Sequence, residues 1–536
     1  MRADLRIIDS PEGPVLYSGD KPLCHPRYPK SRADAAARRG QIRAQTLVLV
    51  PSPLFGYGLE LLLENLPEDS RLLCVEHDED IMAASLRHFP RGLIQDPRLA
   101  FVRASDVEQA CGFAAQSFGV HLFRRVEVVS LTRGYSLFPD FYRDLAAGLL
   151  DMIQTYWRNR MTSLHMGRLW MGNIFMNLAM LPACASLAEL EFTRPVVIAG
   201  AGESLERHLD FLAARRGCFA LACVDTALPV LGAAGITPDL IVIAEAQFAN
   251  TYDFAGLQNW NIPIAADLCS YPGILRRFTG PRYMFLSRFT GLLWFSRDDV
   301  KAVLPPFIPP LGSVGVMALY IASRAAAEDR PIFLAGMDLR YPAGKPHAKA
   351  SPSHTLLLAG QGRLSFPHYL ASWYSRPREK APLAGGGSAL SDAVLASYRD
   401  ALKEIALGRK NVFTLEGEGL DLGVPALSHT QAEILFGQCP ARGKEGSGLS
   451  GAAAGCSWDA ESVSAFCAAQ AAELKALAAS PGITAQQAAR MDYLFLDAAE
   501  NPPYPLGEAG FIRRCRERAA WYASRLARRG TFSQGG

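Results

Sequence analysis

One recurring unit limits what this chain can fold into: a short, almost wholly apolar run, a turn of small residues, then a helix-length segment. PVVIAG (195–200) leads into a glycine turn, GAGES, and then into LERHLDFLAARR, which puts Leu205, Leu209 and Leu212 on one helical face. FALACV (219–224), DLIVIAEA (239–246), IPIAAD (262–267), RYMFLS (281–286) and PIFLAGMD (331–338) repeat the apolar run, the last after a helix near 314–328. Such runs, without polar alternation, are the pattern of strands covered on both faces. Spaced by helices, they predict an α/β fold with a doubly wound, mostly parallel sheet, whose ligands sit beyond the carboxyl ends of the strands.

A second, weaker unit precedes it. TLVLVPSPLFGYGLELLLENL (46–66) reads as strand, turn and helix, and RLLCVEHDED ends the next strand in acids. Gly56 and Gly58 stand about 20 residues before Glu76, the spacing of a Rossmann nucleotide unit. Pro51 and Pro53, however, occupy the turn where a dinucleotide site needs glycines. This predicts a degraded Rossmann-like domain. Asp78–Glu79–Asp80 forms a DxD triplet whose simplest reading is a solvated strand end.

The expected order is a Rossmann-like domain over 1–150, a helical connector over 151–190, a central α/β domain over 191–439, a flexible linker over 440–457 and a helical region over 458–536. Phe141, Trp157, Met166, Trp170 and Phe175 fall at helical spacing in and before the connector and read as packing residues. The segment 376–392 reads as a loop or lid before a helix at 391–406. With 536 residues, 49% apolar and 20% charged, the chain can bury a large core and is not a disordered or fibrous protein. Its 55 basic and 52 acidic side chains leave a formal charge of only +3, so no nucleic-acid partner is expected. The arginine-rich face of the last helix, with Arg513, Arg514, Arg516, Arg518, Arg525, Arg528 and Arg529, reads as a solvated surface or, locally, as a docking face for an acidic protein or nucleic acid. No apolar leader opens the chain, and Asn173, Asn177 and Pro182 interrupt the uncharged stretch 169–188, so a cytoplasmic protein without a membrane span is expected. The 11 scattered cysteines show no CxxC pair; they read as small buried apolar residues, with no zinc site.

Polar groups gather where a doubly wound sheet would bring them together. Gly200, Gly202 and Ser204 form a turn whose amides, opening the next helix, would receive an anion. Asp225 and Thr226 end one strand, and Glu245 and Gln247 end another. Ser313 and Gly315 open a helix. Gly336 and Asp338 end the strand IFLAGMD, and the loop after it carries Tyr341, Lys345, His347, Lys349 and His354. Together they suit a nucleotide-phosphate ligand.

GAGESL, VDTAL (224–228), GITPDLIVIAEAQ (235–247) and GSVGVMALYIA…IFLAGMDLRYPAGKPHA (312–348) form one ordered set. It resembles that of the motility accessory factor (Maf) family of flagellin glycosyltransferases. Their central domain is shared with the archaeal 6-hydroxymethylpterin diphosphokinase (MptE-like) family and is similar to the sialyltransferase fold that uses CMP-sugars. The resemblance implies transfer of a nonulosonic acid, pseudaminic or legionaminic, from a CMP-sugar onto Ser or Thr of flagellin. By that resemblance Gly200, Gly202 and Ser204 hold phosphate or ribose, Asp225 and Thr226 lie by the nucleotide, and Ser313, Gly315, Gly336 and Asp338 complete the cleft. His347 is the candidate base, with His354 second, and Tyr341 donates to the leaving phosphate. The donor is then a CMP-nonulosonate substrate, and no resident cofactor or metal ligand is assigned. Two alternatives stay open. A pterin diphosphokinase would hold ATP in the same cleft, with Mg²⁺ on Asp225, Glu245 and Asp338. A non-catalytic flagellar assembly factor would keep the fold alone. The family usually has proline where this chain has Glu203, a carboxylate that would compete with an anionic ligand.

Overall fold

The computed structural model describes residues 5–39, 41–341, 347–360, 362–363, 378–417, 419–437, 448–450, 456–498 and 504–527. The candidate residues Lys345, Arg528 and Arg529 and most of the 440–457 linker lie outside them. The chain divides into two units, Met1–His165 with Ala499–Tyr504, and Met166–Ala498 with Pro505–Gly536.

The first unit opens with a small antiparallel sheet of β1 (Leu5–Ser10), β2 (Gly13–Ser18) and β3 (Lys21–Pro22). A four-stranded parallel sheet follows, built from β4 (Thr46–Pro51), β5 (Arg71–Glu76), β6 (Leu99–Arg103) and β7 (Arg125–Val128) in the order β6-β5-β4-β7. That is the strand order of a Rossmann half, with its switch between β4 and β7. The mouth at this switch is filled by the protein's own groups. Ser52 and Leu54, both with positive φ (44° and 50°), are fully buried. The Ser52 hydroxyl donates to Glu76 Oε2 at 2.7 Å, and the amides of His77 and Asp78 donate to Oε1 at 3.0 and 3.2 Å. Glu76 therefore faces inward, where a dinucleotide site would present its acid. Asp78 caps the helix Glu79–Leu86, accepting from the amides of Asp80 and Ile81, so the DxD triplet is a helix start.

The second unit holds a ten-stranded sheet. Along the chain come β8 (Ala185–Ser186), the separate strand β9 (Glu191–Phe192), β10 (Val196–Ala199), β11 (Ala220–Val224), β12 (Leu240–Ile243), β13 (Ile264–Asp267), β14 (Arg282–Ser287), β15 (Phe307–Ile308) and β16 (Ile332–Ala335). After a hairpin of β17 (Glu379–Pro382) and β18 (Ser388–Ser391) come β19 (Val412–Leu415), β20 (Ala426–Leu427) and β21 (Leu449–Ser450). The sheet runs β15-β14-β13-β12-β11-β10-β16-β19-β20, with β8 beside β14, and its pairings are parallel. The order reverses between β10 and β16. This is the doubly wound, Rossmann-like α/β fold that the apolar runs predict. The side chains of β10 and β12 are wholly excluded from water, and each buried Val, Leu or Ile contributes roughly 1.5–3 kcal/mol.

Four details depart from the sequence reading. The segment after the GAGES glycines is not one helix: a 3₁₀ turn, Glu203–Arg207, precedes a short α-helix, Leu209–Ala214. The described part of 376–392 is the β17–β18 hairpin around Gly385–Gly387 rather than an open loop, because its strands exchange a full antiparallel register. Part of the linker is ordered as well: β21 pairs antiparallel with β9. Cys218 is disulfide-bonded, whereas Cys74 and Cys223 are free thiols whose pKa burial raises.

Asn173 and Asn177, one turn apart on the helix Pro139–Asn177, tie it to the strand ends. Asn173 Nδ2 donates to the carbonyls of Ala246 and Cys269, and Asn177 Nδ2 to those of Leu268 and Ser270, all at 2.9 Å. Polar residues that would be costly in a bilayer thus satisfy loop carbonyls that would otherwise be buried without donors. Among the described residues no helix is long and apolar enough to cross a membrane.

Candidate functional site

The switch between β10 and β16 opens into a cavity of about 330 Å³. A crevice at that place, outside the carboxyl ends of the strands, is where open α/β sheets bind ligands. Gly200, Gly202 and Glu203 come from the loop after β10, Asp225 and Thr226 from the end of β11, and Gly336, Asp338, Arg340 and Tyr341 from beyond β16. Ser313 and Gly315 from the helix Val314–Ala325 and His347 complete the wall. Ser204 is buried behind it, and His354, on the helix Pro352–Ala359, is not among the lining residues.

The glycines bring two loops together. The Gly202 amide donates to the Gly336 carbonyl at 2.8 Å. A Cβ on Gly202 would stand 2.6 Å from Asp338 Oδ2, and one on Gly200 2.6 Å from the Gly336 carbonyl oxygen. Gly336 itself has φ +69°, which favours glycine. The Ser204 amide donates to Asp338 Oδ2 at 2.8 Å, and its hydroxyl donates to Oδ1. The amides of Gly202 and Ser204, which the sequence reading offers to a ligand, are therefore spent within the protein. The physical reason is local: Asp338 is buried, and a buried carboxylate must collect donors. The helix start facing the cavity is instead that of Val314–Ala325, capped by Ser313 Oγ, which accepts from the Gly315 amide at 3.3 Å. Its twelve residues carry a dipole whose positive end favours anions.

Asp225 Oδ1 accepts from the Thr226 amide at 2.9 Å, and Oδ2 accepts from Asn250 Nδ2 at 2.8 Å. Asn250 also donates to Asp253 Oδ2 at 3.1 Å. Burial, with Asp253 nearby, pushes the Asp225 carboxyl up to about 7; burial and Glu245 push Asp253 up to about 6. Burial pulls His347 below the ordinary histidine value, against the opposing pull of Asp338, and its Nδ1 has no hydrogen-bond partner among the described residues. A neutral imidazole in this wall is chemically a base. The Tyr341 hydroxyl donates to Asp392 Oδ2 at 2.7 Å while Arg378 stacks 3.6 Å over its ring, so its proton already has an acceptor.

Arg340 and Tyr398 also line the cavity, and the sequence reading named neither. Arg340 had a signal, a cation two residues beyond a strand-end acid. Tyr398 arrives on the helix Ala393–Leu407, sixty residues downstream, without one. Among the described residues no group of three or more His, Cys, Asp or Glu side chains is placed to hold a metal ion, so Asp225, Glu245 and Asp338 do not form a shared metal pocket here.

Comparison with known proteins gives three findings. A protein of Treponema pallidum (strain Nichols), itself uncharacterised, is 28% identical over 425 residues, covering 77% of this chain and 74% of its own. The structure of a Maf glycosyltransferase from Magnetospirillum magneticum AMB-1 superposes with a TM-score of 0.54 at 14% identity, covering 98% of this chain and 87% of that one. The family model for "6-hydroxymethylpterin diphosphokinase MptE-like" matches residues 171–344, which span the cavity from β10 to the loop beyond β16. The chain thus carries an MptE-like domain within a fold shared with a Maf glycosyltransferase.

Proposed function

We propose that this chain is a glycosyltransferase of the Maf type, moving a nonulosonic acid from a CMP-sugar to a Ser or Thr hydroxyl of flagellin in the cytoplasm. The observation that carries the reading is the cavity at the β10–β16 switch, where a neutral histidine and a capped helix start share one wall. His347 takes the acceptor hydroxyl's proton as the oxygen attacks the anomeric carbon; the bond from that carbon to the CMP phosphate oxygen breaks, and CMP leaves with its electron pair. The start of the helix Val314–Ala325 and Arg340 face the charge that builds on the departing phosphate. Asp225 and Thr226 border the nucleotide.

The MptE-like match supports a second reading, diphosphoryl transfer from ATP to a hydroxymethylpterin. The strand-end acids would hold Mg²⁺ there; among the described residues they do not come together as a group of three metal ligands. The deciding experiment compares intact flagellin masses from cells with and without this gene. Loss of a nonulosonate-sized increment supports the transferase. Unchanged flagellin together with Mg²⁺-dependent AMP release from ATP and a hydroxymethylpterin supports the kinase. Flagellin capture with neither activity leaves an assembly factor.

A further inference from the structure

Arg340 is the one lysine or arginine among the described residues of the cavity wall, and it shares that wall with three carboxylates, Glu203, Asp225 and Asp338. Asp225 and Asp338 are held by donors from their own surroundings, Thr226 and Asn250 for the first and Ser204 for the second. Glu203 differs, because its Oε2 lies 3.2 Å from the Arg340 guanidinium in an ion pair. The pair is asymmetric. The Arg340 side chain is 10% exposed and that of Glu203 28%, and Glu203 opens a five-residue 3₁₀ turn rather than lying inside a long helix. The cation is the more buried partner and the carboxylate the more exposed one.

We propose that Glu203 is an internal stand-in for the ligand's anionic group: it pairs with Arg340, and an incoming phosphate or carboxylate displaces it. The inference rests on the nucleotide-sugar reading above for the ligand's identity, and on the ion pair for its chemistry. Exchanging one anion for another on a desolvated guanidinium keeps the charge balanced and avoids stranding it. The planar fork of arginine donates paired hydrogen bonds to a phosphate or to a carboxylate. Glu203 then lowers apparent affinity by the fraction of time it holds Arg340, and only ligands carrying a competing negative group displace it.

Calorimetric titration of the full chain tests this with CMP, cytidine, inorganic pyrophosphate and N-acetylneuraminic acid. Glu203→Gln is expected to tighten binding of the anion that uses Arg340 by about tenfold, and to leave cytidine unchanged. In the Arg340→Gln background the same change should have no effect; Arg340→Met, which keeps the length of the side chain and removes the charge, replaces it if that variant does not melt cooperatively. A gain for CMP and pyrophosphate assigns Arg340 to phosphate, and a gain for N-acetylneuraminic acid assigns it to a sugar carboxylate. If pyrophosphate gains while no variant binds CMP, the displacement stands and the nucleotide reading fails. Weaker or unchanged anion binding by Glu203→Gln, an equal gain for cytidine, or a gain that persists without Arg340 overturns the proposal.

Discussion

Glu76 is a buried titratable group and His347 a half-buried one, and their surroundings push them toward opposite uses. Glu76 is 1% exposed and has spent its oxygens on Ser52, His77 and Asp78, and burial pushes it up to about 7. Its folded pKa exceeds the unfolded value of 4.5, so its contribution is fully present below 4.5 and is lost as pH rises through 7. Glu76→Gln should therefore flatten the fall in stability between those values, a difference on the order of 2–3 kcal/mol at pH 8 in denaturant titrations. An unchanged slope would mean that this carboxyl titrates normally. His347 is shifted the other way, so it stays neutral below the pH at which a free histidine takes a proton. Under the proposed mechanism, His347→Ala should abolish transfer and leave CMP affinity nearly intact, since the imidazole serves the acceptor. The acid limb of the wild-type kcat/KM profile should fall below pH 6.5. A collapse of CMP binding would instead place His347 on the nucleotide.

The elements that form the cavity were readable to different depths. The apolar runs of β10 to β14 and β16 announce themselves, because strands covered on both faces can carry little else. The gathering of strand-end residues follows from the parallel order. What could not be read is where those residues spend their hydrogen bonds. Ser204 and Asp338 are 134 positions apart, and nothing local marks them as partners; the pattern suits a ligand-facing helix, yet their pairing makes a 3₁₀ turn with its amides occupied. The glycines were legible as necessary, but for closeness to a ligand rather than to a neighbouring loop. Gly202→Ala accordingly belongs to packing. Its methyl would meet Asp338 and Gly336 at 2.6 Å, so the β10 and β16 loops must part. We expect a loss of about 1–3 kcal/mol in stability, with weaker CMP binding as a consequence. Weaker CMP binding at unchanged stability would restore the ligand-facing role. Asn173→Leu tests a different joint. It leaves the carbonyls of Ala246 and Cys269 without their donor, at about 1–3 kcal/mol.

At the scale of the whole molecule, the C-terminal helices are part of the second unit's core. Phe175, Trp294, Tyr493 and Tyr522 meet edge to face with ring centres 5.3–5.7 Å apart, and all four side chains are buried. Trp294 Nε1 donates to Gln470 on the helix Ala460–Ala479, and the amides of Leu293 and Trp294 donate to Asp492. The arginines of Ala509–Ala527 are engaged as well. Arg518 pairs with Asp497 at 2.8 Å, Arg516 donates to the Ala478 carbonyl, and Arg525 stacks on Trp521. Three arginines of the basic face, read from the sequence as solvated or as a docking face, thus serve the protein's own fold. Removing 458–536 would uncover aromatic surface that the central sheet cannot cover from elsewhere, and each such ring costs about 3–5 kcal/mol when its packing is lost. Against a net stability of roughly 5–15 kcal/mol, the loss of several is decisive. The truncated chain should be insoluble or melt without cooperativity, and Trp294→Ala in the full chain should lower the midpoint of denaturation without changing the far-ultraviolet spectrum at low denaturant. A truncated chain that melts sharply and still binds CMP would show that the helices are an appendage, and that the sheet with its cavity stands alone.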